Sequence, residues 1–113
     1  MLFGLLPGTL DVLVLKAVDA APNHGYGIAR WIREATDEHF VVEDGALYTA
    51  LHRLEQRRLL KSDWKASETR RRAKYYSLTI KGRQVLNEQI EAWRRSAAAL
   101  SKVLDGPSRK ASS

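Results

Sequence analysis

Three side chains close together in the chain, Thr49, His52 and Arg53, carry the hydrogen-bonding groups that read base edges in a nucleic-acid groove: a hydroxyl beside a methyl, an imidazole and a guanidinium fork. Of these Arg53 is the strongest candidate for guanine, because its fork can donate two parallel hydrogen bonds. A second set lies just downstream. Between Arg57 and Lys74 eight basic side chains face only two acidic ones, Asp63 and Glu68. That excess equals the net charge of the whole protein, +6; the remaining 11 basic and 11 acidic residues cancel. Positive charge confined to one stretch is the footprint of a polyanion partner. Lys65, Arg70, Arg71, Arg72 and Lys74, with Tyr48, suit phosphates, or the placing of an arginine in a minor groove.

Catalytic chemistry finds no comparable footing. There is no cysteine, which excludes disulfides, thiolate metal sites and cysteine nucleophiles. His24, His39 and His52 have no local metal-ligand spacing, and neither paired carboxylates nor a nucleophile with its base stand near one another. The sequence therefore predicts no enzyme, no metal and no cofactor.

The reading residues need a rigid element to present them. Leu47, Leu51 and Leu54 recur at i, i+4 and i+7, so Asp44 to Arg57 forms an amphipathic helix. Opposite the leucines stand Gly45, Thr49, His52, Arg53 and Gln56, with Tyr48 on the flank. An ordinary solvated face would look similar, and the neighbouring elements decide between the two readings. Upstream, Thr9 is the expected N-cap of a first helix over 9–20, with Asp11 at its positive end. A second helix over 25–35 is capped by Asn23 or His24 and turns Ile28, Ala29, Ile32 and Ala35 inward. Gly25 and Gly27 in its first turn predict the close approach of another backbone. Tyr26 and Trp31 read as core or rim packing, and Phe40, Val41 and Val42 as plugs from a connector.

Two helices with a short connector and a polar second face form a helix-turn-helix pattern. Next, Leu60, Ser62 and Trp64 alternate with Lys61, Asp63 and Lys65, and Lys74 to Leu78 alternates again, which predicts a two-stranded ribbon with a polar tip over 66–72. A basic ribbon in this position is the wing of a winged helix, and its second arm, not the helix, holds the arginine triplet. From Thr79 the period is helical to about Leu104. Leu86, Ile90, Trp93, Ala97, Leu100 and Leu104 fall at alternating steps of four and three, a coiled-coil seam. Such a helix outruns so small a domain, so its seam needs a second copy of the chain, or else packs back on the first helix.

The expected fold is mainly α with a small β-wing, a winged helix-turn-helix followed by a long C-terminal dimerisation helix. We divide the 113 residues into a DNA-binding domain over 1–78, the dimerisation helix over 79–105 and a disordered polar tail over 106–113. Met1 to Leu6 is apolar but lacks a basic leader and stops at Pro7, so neither a signal peptide nor a membrane span is expected, and the cytoplasm is the expected compartment.

The run His24-Gly25-Tyr26-Gly27-Ile28, the segment Gly45-Ala46-Leu47-Tyr48 with Leu51, Arg53, Leu54 and Glu55, then Trp64, and Lys74-Tyr75-Tyr76 with Leu78, Thr79 and Gly82 resemble the PadR family of bacterial transcriptional regulators. The likeness spans residues 5 to 104 and is closest to the members with one long C-terminal helix. It implies a homodimeric repressor on double-stranded DNA with an inverted-repeat operator. It also implies, in some members, a small aromatic effector at the dimer interface. Trp93 is the side chain placed to meet such an effector, plain packing in the seam being the alternative. Two positions depart from the family. Glycine usually stands at 58, where a left-handed helix cap would strain Arg58, so either the helix ends differently or Arg58 holds a phosphate. Proline is common at 49, and Thr49 puts sequence preference there in doubt. A competing reading is a winged-helix interaction module docking on an acidic protein; the lack of apolar anchors on the outer face of 44–57 weighs against it.

Overall fold

A computed structural model describes residues 8–109 of the chain. The expectations for Met1 to Leu6, and for the last four residues of the tail, lie outside the described residues. Helix α1 (Thr9–Ala20) buries Val14, Leu15, Ala17 and Val18 along one stripe. Its N-cap is Gly8, at φ 86°, with no side-chain hydrogen bond, so Thr9 is already inside the helix rather than its cap. A two-residue strand, β1 (Asn23–His24), leads into α2 (Gly25–Ala35). His24 Nδ1 accepts from the Gly27 N–H at 3.0 Å and so caps α2, one of the two residues expected to do so. Ile28 and Ile32 are fully buried, whereas Ala35 faces solvent. The close approach at the two glycines is by side chains, not by a backbone. A Cβ on Gly25 would lie 2.7 Å from the Tyr48 hydroxyl, and one on Gly27 would overlap the Asn23 carboxamide. Tyr26 is exposed, while Trp31 packs at the edge of the core. In the connector Val42 is buried and Phe40 partly so, but Val41 is exposed.

Helix α3 (Asp44–Gln56) buries Leu47, Ala50, Leu51 and Leu54, as the leucine spacing requires. It ends in a left-handed cap. The Arg58 N–H donates to the Glu55 carbonyl at 2.9 Å and the Leu59 N–H to the Leu54 carbonyl at 3.0 Å, with Arg58 at φ 62°. Leu54 and Leu59, both fully buried, close the apolar contact that accompanies this motif. The helix therefore ends as a glycine would have ended it, and arginine carries the strain.

Strands β2 (Leu60–Ala66) and β3 (Arg72–Leu78) pair antiparallel from Leu60↔Leu78 to Ala66↔Arg72. The sheet has three strands rather than two, in the order β1-β3-β2, because Asn23 and His24 pair with Tyr76 and Tyr75. Only the base of the hairpin, at Leu60 and Tyr76, is buried. Beyond Ser62 the ribbon stands clear of the core, which is why its outer residues are free to be polar and basic.

Helix α4 (Ile80–Leu104) is capped by Thr79, whose hydroxyl oxygen accepts from the Gly82 N–H at 2.9 Å. Gly82 lies so close to the Leu59 carbonyl that a Cβ would overlap it, and the contact seats α4 at the root of the wing. The early part of α4 belongs to the core. Leu86, placed on the dimer seam by its spacing, is only 1% exposed inside the protomer and out of reach of a second chain. Ile90 is half-covered by the same core. Farther along, Trp93, Leu100 and Leu104 are exposed and Ala97 is half-exposed, where α4 runs past the domain to give an overall extent of 65 × 27 × 20 Å. The seam thus divides: its start closes on its own chain, and its end is uncovered. Among the described residues no helix is long and apolar enough to cross a membrane.

Candidate nucleic-acid interface

On α3 the outward side chains fall into two groups. Thr49 and His52 are exposed, and the side chain of neither makes a hydrogen bond among the described residues. Arg53 is engaged. One of its terminal nitrogens, Nη2, donates to Asp11 Oδ1 of α1, across 42 positions of sequence. Tyr48 is half-exposed, its ring resting on Gly25 at the start of α2.

The wing divides in the same way. Arg70, Arg71 and Arg72 are exposed and form no ion pair among the described residues. Arg70 and Arg71 belong to the turn, and Arg72 opens β3. The turn closes through the Arg70 N–H to the Ser67 carbonyl at 2.9 Å and the Ser67 N–H to the Arg71 carbonyl at 2.8 Å, with Arg70 left-handed at φ 64°. This is a three-residue hairpin loop whose last position favours glycine. Lys65 instead lies 4.8 Å from the centre of the Tyr75 ring. Lys74 turns inward, 3.0 Å from Glu55 of α3 and 5.5 Å from the centre of the Tyr76 ring. Of the five basic wing residues expected at phosphates, only the triplet is without an internal partner.

Glu55 is a functional side chain that its type and spacing do not mark as a DNA contact. Its carboxylate accepts from the Ser62 hydroxyl of β2 at 2.5 Å and from Lys74 Nζ of β3 at 3.0 Å, so one α3 side chain grips both arms of the wing. The Ser62 hydrogen bond, aided by Lys74, holds the Glu55 carboxyl below its ordinary pKa against the opposing effect of burial. The hydrogen bond that Lys74 donates to Glu55 raises the Lys74 pKa. Burial pushes the Tyr76 phenol up. Its place in the Leu-Glu run that follows the reading residues was visible, but its two partners were not. Asp11, by its position alone, suits only the dipole of its own helix.

Between the wing and α2 lies an open cleft of about 820 Å³ whose walls include Tyr26, Tyr48, Trp64 and Tyr76. Among the described residues no group of acidic or histidine side chains is arranged to hold a metal ion. What the surface offers is a helix face with free polar groups, a basic hairpin tip, and an ion-pair network that fixes one beside the other. That arrangement suits a duplex, whose grooves and phosphates demand both.

Comparison with known proteins agrees with this geometry. Residues 14–88 match the model of the transcriptional regulator PadR-like family. The structure is similar to that of a transcriptional regulator from Clostridium thermocellum, at 32% identity and a TM-score of 0.77 over 84% of this chain and 89% of that one. It is also similar to a PadR family transcription regulator from Clostridium difficile, at 31% identity and a TM-score of 0.76 over 86% and 99%. A PadR family regulator from Eggerthella lenta shares 31% identity, with a TM-score of 0.74 over 88% and 85%. With two thirds of its length matched by the family model and this fold, the chain belongs to the PadR-like family of transcriptional regulators.

Proposed function

We propose that the protein is a sequence-specific, double-stranded DNA-binding regulator that acts in the cytoplasm as a homodimer and represses by occupying an inverted-repeat operator. The observation that carries this reading is the pairing of two unengaged surfaces, Thr49 and His52 on α3 and Arg70 to Arg72 at the wing tip, tied together by Glu55. α3 enters the major groove, where Thr49, His52 and Arg53 meet base edges, and the triplet holds flanking phosphates. Tyr48 and Lys65 lie at the margins of the same surface, and Lys74 acts from within, by setting the wing. The exposed end of α4, with Trp93, Ala97, Leu100 and Leu104, pairs with its copy. Two-fold symmetry then sets half-sites about one helical turn apart. A small aromatic effector bound against Trp93 would release the operator by favouring a dimer geometry with the reading helices wrongly spaced.

Footprinting on the native upstream region, combined with the Arg70, Arg71 and Arg72 triple alanine variant, tests this. A protected palindrome is expected for the wild type. The triple variant is expected to lose affinity for all sequences alike and to flatten the salt dependence by about 0.9 log unit for each phosphate contact removed. Undiminished affinity and salt slope would overturn the wing assignment. Absence of any footprint, with binding to an acidic protein instead, would select the interaction-module reading.

A further inference from the structure

Arg53 reaches the reading surface already held by an acid from another helix. Its side chain is 48% exposed, while that of Asp11 is only 18% exposed, so the carboxylate is tucked behind and the guanidinium opens outward. Asp11 has no other side-chain partner among the described residues. It lies in the first turn of α1, where the helix dipole favours its charge. The other α1 acid, Asp19, has different work: it pairs with Lys16 on its own helix and Arg83 on α4. Asp11 alone is aimed at the reading helix.

We propose that Asp11 is a positioning residue for sequence selectivity, holding the Arg53 fork in the orientation that reads guanine. The inference rests on the DNA-reading role assigned to α3. A guanidinium has five N–H donors, and the contact with Asp11 Oδ1 takes one hydrogen of Nη2. Whichever Nη2 hydrogen the carboxylate takes, the other remains beside Nη1–H or Nε–H as a parallel pair that matches guanine N7 and O6. A long side chain on the flank of α3 would otherwise sample many rotamers and meet phosphates as readily as bases; the carboxylate removes that freedom. Stability alone is a weak reason for the pair, since exposed ion pairs contribute little. An acid next to a polyanion weakens binding to every sequence, and that loss is offset only by selectivity.

The test measures dissociation constants of the full-length protein on its footprinted operator and on operators with each guanine replaced in turn. Wild type, Asp11→Ala, Asp11→Asn, Arg53→Lys and the Asp11→Ala/Arg53→Lys double variant are compared. At the guanine whose loss affects Arg53→Lys least, Asp11→Ala is expected to shrink the wild-type discrimination by about five- to tenfold. Binding to unrelated DNA should be unchanged or stronger. Asp11→Asn, which keeps the acceptor oxygen, is expected to fall between, and the double variant to discriminate no worse than Arg53→Lys alone. Unchanged discrimination in Asp11→Ala, whether binding rises equally at all sites or only the melting temperature moves, would overturn the proposal. A wild type that binds no DNA would instead overturn the functional reading beneath it.

Discussion

Arg58 carries a backbone conformation that its sequence neighbours gave reason to doubt. At φ 62° it occupies the left-handed position of the cap that ends α3, and its carbonyl accepts a hydrogen bond from the Thr79 hydroxyl at 2.7 Å. That conformation costs an L-residue about 1–2 kcal/mol, and glycine would relieve it while losing about 0.5–1 kcal/mol to its own backbone freedom. Arg58→Gly is therefore expected to stabilise the fold by roughly 0.5–1 kcal/mol, read as a higher denaturant midpoint with an unchanged slope. Because strain of this kind persists where function repays it, the same variant is expected to bind DNA more weakly, with a salt slope reduced by about 0.9. A lower midpoint would refute the strain; an unchanged slope would refute a phosphate contact. Arg53 and Lys74 make a related point. Their types advertised nucleic acid, yet both found carboxylates in the folded chain, Asp11 and Glu55. Residue type and spacing report what a side chain can bind, while the partner that reaches it first is set by which helices cross, and that lies many positions away in sequence.

At the scale of elements, the wing is held to α3 by Glu55, and this link has a pH dependence whose sign follows from the shifts. The Glu55 carboxyl lies below its ordinary value of 4.5 in the fold, chiefly through Ser62. Its contribution is therefore complete above that value and is lost as pH falls through the depressed one. Lys74 is raised from 10.5, so its share is complete below that value and is lost only as pH rises through the folded one. Between the two, across neutral pH, the link is fully formed. Glu55→Gln is expected to lower the unfolding midpoint at pH 7, and the difference from wild type is expected to shrink as pH falls through the depressed carboxyl value and the wild-type carboxylate takes up its proton. A gap that keeps its size however far the pH is lowered would show that the charge is irrelevant. The elements themselves were largely legible, because periodicity marks which face of a helix or strand is buried. α1, α2 and α3 fall where their apolar stripes put them, and the alternation around Trp64 and Tyr76 marked the ribbon. Two features escaped. Strand β1 is too short to show a period, since Asn23 and His24 become a strand only by pairing with β3. The N-cap at Gly8 offers no side-chain oxygen, so Thr9, the better capping type, drew the assignment.

For the whole molecule the open question is what covers the far end of α4. At 1.5 Å per residue its 25 residues span about 37 Å, and only the beginning is held by the core. Leu86 and Leu100 share one repeating pattern yet differ in surroundings, 1% against 52% exposed. Periodicity records that a stripe is apolar, not whether its own chain or a copy will bury it; the protomer core that closes over Leu86 divides the stripe. The two positions should therefore respond oppositely to substitution. Leu86→Ala removes fully buried methyl groups and is expected to cost about 2–5 kcal/mol of protomer stability. Leu100→Glu places a charge on a surface that is solvated in the single chain, so the fold is expected to persist and dimerisation to be lost. Sedimentation equilibrium and circular dichroism on the two variants separate the cases. A folded monomer for Leu100→Glu beside a dimeric wild type supports α4 pairing, and a mass unchanged from that of the wild type would overturn it. Dimer loss should also reduce operator affinity far more than affinity for a single half-site, because the two reading helices are then no longer linked and the second half-site binds without the gain in effective concentration.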